Sequence, residues 1–229
     1  MDEAMWRKML LVVFGIAIFT VERVSAAESW KLPLDESNWS SIKVPGTLEN
    51  AYSIGNGLLT VRSDKSASFR YFELPTALRN PKLVNWRWRV ESFSSVSRQG
   101  EKGRDDRPLA VHLWFNDTGG GSLFGGVASI FGYPKVGHLL TYVWGAEDAA
   151  GSIIRNPYYA KGRVIVLVGQ NAPTGQWRSV QRDIARDFKA AFGSAGGVPS
   201  LRYIAVSADN DDLGGRSFAA LKSLSIVLP

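Results

Sequence analysis

The segment Asp209-Asn210-Asp211-Asp212-Leu213-Gly214 places three carboxylates and an amide within four consecutive positions. Hard oxygen donors at that density are the ligands calcium takes, which makes Asp209, Asp211 and Asp212 candidate metal ligands. The match to a calcium-binding hand loop is loose, because the distal Glu is missing and the flanking residues read as strands. The same residues also build an ordinary acidic turn, with Asp and Asn bonding their own backbone. The turn is the simpler account.

Asp105 and Asp106 stand between Arg104 and Arg107, just before an apolar alternating run. One carboxylate there can orient a sugar hydroxyl, and two at a set separation can hydrolyse a glycosidic bond. Neighbouring residues of an extended chain project to opposite sides, so a strand would divide the pair and only a loop could unite it. Local ion pairing with the arginines is the competing account. His112 and His138 are the only histidines and there is no cysteine, so a zinc centre lacks ligands. No Gly-x-Ser-x-Gly elbow supports a nucleophilic serine. Trp114 falls opposite Leu113 and Phe115, on the side of His112, where an indole can stack a sugar ring. Trp144, beside Gly145, is the second candidate for that role. Trp86, Trp88 and Trp177 are expected in the core. The candidate ligand-binding set is therefore Asp105, Asp106, His112, Trp114 and Trp144.

Strands must position these groups. Period-two runs cover 58–63, 67–72, 84–90, 109–116, 138–144, 163–168, 177–184, 201–207 and 218–228. One short helix is expected over 187–192, stopped at Gly193. With about nine strands and no βα alternation, the pattern predicts an all-β protein, an antiparallel β-sandwich with one short helix. Residues 27–55 show little periodicity, and 27–229 reads as one domain.

Arg7 and Lys8, an apolar run from Met9 to Phe19 and small residues at Val24-Ser25-Ala26 describe a signal peptide over 1–26, cleaved after Ala26. An uncleaved anchor is the rival, but the run is shorter than the roughly 20 residues that span a bilayer. No transmembrane span is expected after cleavage, and a periplasmic or secreted location follows. The net charge of +6 is spread among acids with no basic stripe, which argues against nucleic acid. With no cysteine, no disulfide framework supports the fold. The glycine-rich stretch from Gly119 to Gly137 does not end as a phosphate loop. It reads as a strand connection, or as an apolar lid or partner-binding flap.

Several stretches, in order along the chain, carry a resemblance: Val84-Asn85-Trp86-Arg87-Trp88-Arg89-Val90, Lys102-Gly103-Arg104-Asp105-Asp106, Leu140-Thr141-Tyr142-Val143-Trp144-Gly145 and Asn156-Pro157-Tyr158. They continue with Gln181-Arg182-Asp183-Ile184-Ala185-Arg186-Asp187-Phe188 and Ala208-Asp209-Asn210-Asp211-Asp212-Leu213-Gly214. On these the chain resembles the domain of unknown function 3047 (DUF3047) family, exported bacterial proteins without an assigned activity. The resemblance implies a jelly-roll sandwich similar to carbohydrate-binding modules and implies no reaction. In the family pattern a basic residue follows the Asp pair where this chain has Ala110, and an Asp stands near Ser223. A site built on those groups is altered here.

Three functions remain open from sequence. The first is a non-catalytic carbohydrate- or envelope-binding module, calcium-stabilised in one version, with Trp114 and Trp144 stacking the ligand. The second is a secreted glycoside hydrolase or lyase on a similar sandwich. The third is an envelope partner-binding or structural protein using Leu123 to Tyr133.

Overall fold

Thirteen strands and one α-helix follow from these alternations in the computed structural model, which describes residues 28–116 and 134–229. In chain order they are β1 (Ser29–Lys31), β2 (Ser40–Lys43), β3 (Ala51–Gly55), β4 (Leu58–Asp64), β5 (Ala67–Glu73), β6 (Leu83–Phe93) and β7 (Arg107–Phe115). Then come β8 (Leu139–Ala146), β9 (Ile153–Arg155), β10 (Gly162–Gly169), β11 (Arg178–Asp183), α1 (Ile184–Phe192), β12 (Leu201–Asp209) and β13 (Arg216–Val227). A six-stranded sheet runs β11-β6-β13-β4-β3 with β1 on β13, and a seven-stranded sheet runs β2-β5-β12-β7-β8-β10-β9. The pairs are antiparallel except β8 with β10, so the second sheet is mixed.

The two sheets pack face to face as the expected jelly-roll-like sandwich. Trp86 and Trp88 on β6 and Tyr142 and Trp144 on β8 form an aromatic seam between them. The Trp86–Tyr142 and Trp88–Trp144 ring centroids lie 5.4 and 5.7 Å apart. Such tilted and edge-on contacts suit the ring quadrupoles. Asp187 of α1 closes one end of the sandwich. It takes a two-pronged contact from Arg182 on β11 (2.6 and 2.7 Å) and a hydrogen bond from the Tyr142 hydroxyl on β8 (2.9 Å). One buried carboxylate thus ties both sheets to the helix.

Four features depart from the sequence expectations. Residues 27–55 hold β1, β2 and β3, short strands at or near sheet edges with too few residues to show a period. The helix begins at Ile184, not Asp187, because the Asp183 carboxylate caps it by accepting the Arg186 N–H at 2.9 Å. Trp177 lies on the outer face of the six-stranded sheet and not in the core. The last strand changes parity at Ser223 (φ 55°), where three steps of β13 match two of β6, so Leu221 and Leu224 both point inward. The expected signal peptide and the stretch Leu123 to Tyr133 lie outside the described residues. No helix among the described residues is long and apolar enough to cross a membrane.

Candidate functional site

Alternation on β7 turns Ala110, His112 and Trp114 away from the core, onto the outer face of the seven-stranded sheet. Thr141 on β8 stands directly opposite His112, and Ser207 and Asp209 on β12 share that face. Arg107 has the parity of core-facing Leu109 and Val111, yet it also points outward. The cause is a bulge. Between Ala110↔Ser207 and Arg107↔Asp209 two residues of β7 oppose one of β12, which reverses the face. Pro108 sits in the bulge, where its missing N–H breaks no ladder bond.

Arg107 therefore reaches two carboxylates, Asp105 at 3.0 Å and Asp209 at 2.9 Å, while 8% exposed. The Gln99 amide fixes the approach to β7 by donating to the carbonyls of Asp105 (3.1 Å) and Asp106 (3.0 Å). Asp106 is completely buried. Its carboxylate accepts the Asp212 and Leu213 N–H groups at 3.2 Å each and the Ser95 hydroxyl at 3.3 Å, which pins the β12–β13 loop against β7.

The loop, the bulge and the sheet face enclose a cavity of about 340 Å³. Phe69, Trp114, Tyr158 and Tyr159 supply aromatic walls, and Asp105, Asp209, Asp211 and Asp212 supply carboxylates beside Arg107, His112 and Thr141. Asn156 sets both tyrosines at the rim by accepting the N–H groups of Tyr158 and Tyr159 at 2.9 Å each. The Tyr158 hydroxyl accepts the Gly103 N–H at 2.8 Å and lies 3.4 Å from Asp212.

The electrostatics follow from burial. His112 is held well below its usual pKa by desolvation and then by the Arg107 charge, so it is neutral. Its Nδ1 meets the Thr141 hydroxyl at 3.0 Å and its Nε2 the Ser207 hydroxyl at 2.8 Å. Among the described residues no carboxylate orients the ring, so the Ser207–His112 contact lacks the third member that activates a serine. Burial raises Asp209 well above the ordinary carboxylate range, against the opposing pull of Arg107. Burial and the neighbouring Asp211 and Asp105 raise Asp212 to about 6. Tyr158 is pushed up to about 12 by desolvation and by the Asp105 and Asp212 charges.

Asp105, His112 and Trp114 meet at the cavity with Asp209, Asp211 and Asp212. Two other residues expected there do not. Trp144 has the parity of Leu140 and Tyr142, so β8 turns it into the sandwich, beneath Trp88 and the Arg178 guanidinium and away from the cavity. Trp114 is as fully buried as Trp144, and what separates the two is that Trp114 lines the cavity. Asp106 points to the loop backbone, divided from Asp105 as an extended chain requires. The oxygens that could share one cation belong to Asp106, Asp209 and Asp211, within 4.8 Å of one another, whereas Asp212 faces Tyr158. The competing account of the Asp pair, ion pairing with the flanking arginines, holds for Asp105 and Arg107; sequence reasoning missed the second partner, Asp209, which depends on the bulge, and missed Phe69, Tyr158 and Tyr159. For the tyrosines the Asn156-Pro157 turn was the available signal.

The model of the family described as "Protein of unknown function (DUF3047)" matches residues 37–225. The chain belongs to the DUF3047 family. No curated protein matches the DUF3047 chain in sequence. Among solved structures it is similar to the family 11 carbohydrate-binding module of the cellulase Lic26A-Cel5E of Clostridium thermocellum, at TM-score 0.46 and 9% identity over 90% of this chain and 97% of that one. It is also similar to the family 12 xyloglucanase from Bacillus licheniformis, at TM-score 0.45 and 11% identity over 88% and 99%. The xyloglucanase domain of NopAA from Sinorhizobium fredii gives 0.40 and 14% over 87% and 96%. What those proteins bind is a property of theirs.

Proposed function

We propose that the chain is a glycan-binding module of the cell envelope or its surroundings, exported by its N-terminal segment. Its ligand site is the cavity on the outer face of the seven-stranded sheet. The observation that supports this reading is the convergence of four aromatic side chains and four carboxylates on one half-open pocket. Aromatic faces take the C–H side of a sugar ring and carboxylates accept its hydroxyls. The charge balance narrows the class. Arg107 is already shared by Asp105 and Asp209, and His112 is neutral, so the space is acidic. It favours neutral or amine-bearing sugars and disfavours uronates and sulfated sugars.

The test is thermal unfolding with a panel of neutral and amine-bearing glycans. A ligand for the folded state raises the midpoint with concentration, and Trp114→Leu removes the rise. A flat panel, or a rise that survives Trp114→Leu, overturns the reading.

A second reading has its own support. Asp212, lifted to about 6, keeps a proton into the mildly acidic range, and a carboxyl group that keeps its proton can serve as the general acid of glycoside hydrolysis. A hydrolase loses turnover in Asp212→Asn while retaining glycan binding. A binding module has no turnover to lose.

A further inference from the structure

The basic residues that are scattered in sequence collect on the other side of the molecule. Alternation on β6 turns Trp86 and Trp88 into the core and Arg87 and Arg89 outward. Register then sets Lys222 of β13 directly opposite Arg87. Trp177 precedes Arg178, whose partner is Trp88, so its indole falls among these cations. Lys222 Nζ lies 4.2 Å, Arg89 Cζ 4.8 Å and Arg87 Cζ 6.0 Å from the Trp177 ring centroid. Arg62, on the same face, covers Phe218 at 3.8 Å. The acids of this face are engaged: Glu91 pairs with Arg89 at 2.5 Å and Asp64 with Arg216 at 2.9 Å. Among the described residues no carboxylate pairs with Arg62, Arg87 or Lys222.

Like charges directly opposite one another destabilise an antiparallel pair. Arg87 and Lys222 are such a pair, held at a cation-rich indole without a counter-charge, and the buried Nε atoms of Arg87 and Arg89 have no acceptor. That arrangement is unfavourable for the isolated protein and complementary to an anion. We propose that the outer face of the six-stranded sheet is a second binding surface, for an anionic polysaccharide with carboxylate-bearing rings. Arg87 and Lys222 hold the carboxylates, and the Trp177 ring gathers the cations that do so. A lipid surface fits less well. None of the exposed large apolar side chains (Trp30, Leu48, Val96, Ile153, Tyr158, Val198, Leu213) lies on this face to enter a bilayer. A single-stranded nucleic acid needs successive aromatic platforms, whereas Trp177 and Phe218 are both covered by cations. The cavity opens on the opposite sheet, so this surface is independent of it.

The test is titration of the full mature chain with polygalacturonate at low and physiological ionic strength, comparing wild type with Arg87→Gln/Lys222→Gln. Binding is expected to weaken with salt and to fall by about tenfold or more in the double variant, as loss of two charge-assisted contacts implies. At low salt the double variant should melt no lower than wild type, since a repulsion has been removed, which separates lost binding from misfolding. Absence of wild-type binding, equal binding by the double variant, or tighter binding to phosphatidylserine vesicles or oligothymidylate than to polygalacturonate overturns the proposal.

Discussion

Arg107 and Asp209 face each other at 2.9 Å across β7 and β12, and they share a face only because the strand carrying the arginine is bulged. Asp105 takes a second donor of the same guanidinium. Replacing Arg107 by Gln leaves two carboxylates with no counter-charge in a largely desolvated place, and breaking a buried pair from one side destabilises by about 3–5 kcal/mol. The loss should also grow with pH. Asp209 is already raised by burial, and without Arg107 it is raised further. Below the unfolded pKa the group is protonated in both states and no penalty arises. Above it the unfolded chain ionises first, so stability falls as pH climbs through the window between the two values. Urea midpoints of Arg107→Gln and wild type at mildly acidic and neutral pH check this. A deficit that shrinks toward neutral pH contradicts it.

Asp212 gives a separate pH signature. Its pKa of about 6 in the folded protein lies above the ordinary 3.8, so the folded state holds the extra proton between those values. Stability therefore declines as pH rises from about 4 to 6, to an extent reduced by solvent screening of this exposed side chain. Asp212→Asn should flatten that limb of the thermal-midpoint curve. An unchanged slope in the variant shows that another group titrates there.

Gly145 has φ of 98°, and a Cβ built on it would lie 2.7 Å from Pro108 Cδ and 2.9 Å from Pro108 Cγ. Gly145→Ala thus strains its own backbone and presses on the proline of the bulge. A loss of about 2–3 kcal/mol is expected from denaturant melting. Because Pro108 adjoins Arg107, ligand affinity at the cavity should fall in the same variant, whereas Gly57→Ala, in the β3–β4 turn with φ of 72° but nothing within 4 Å of the added carbon, should leave affinity intact.

Asp106, Asp209 and Asp211 make calcium dependence measurable. If one ion joins them, millimolar calcium raises the thermal midpoint and Asp211→Asn abolishes the rise. A midpoint indifferent to calcium and chelator removes the ion from the account and leaves the glycan reading standing.

The two tryptophans once grouped as ligand platforms separate in the same way. Trp144→Ala should cost about 3–5 kcal/mol, as truncation of a fully buried aromatic does. Trp144→Phe should retain glycan affinity while Trp114→Leu loses it. Equal effects of these two on binding refute the assignment of the cavity face.

The fold was readable wherever a strand was long enough to show its period. β6 declares its two faces through Trp86, Trp88 and Val90 against Arg87 and Arg89, and the order of later strands follows the same logic. Short β1, β2 and β9 gain their conformation from the strands they pair with, which no local pattern records. Trp144 was readable in principle, since Leu140, Tyr142 and Trp144 share one parity. Trp177 alternates with Ser179 and Gln181, and that too marked an outer face. Arg107 was readable as an ion-pair partner of its neighbour Asp105, but its direction was not. Its orientation depends on a single extra residue in β7, which reverses every inference drawn from counting. The acidic loop was legible as chemistry but not as geometry, because Asp106 captures the Asp212 and Leu213 amides from a strand distant in sequence.

β13 lies between β6 and β4 and also pairs with β1, with Ser29 opposite Val227. The strand that follows the other twelve in sequence is therefore a central one of its sheet, and it joins the first to the rest. During synthesis β6 and β4 emerge without the partner that separates them, each with an open edge. The six-stranded sheet cannot close until residues 216–227 have emerged, so its assembly is a late event set by the distant pairings. Until then the chain is a natural client for holding factors, and a truncation before Arg216 removes the middle of the sheet rather than its margin.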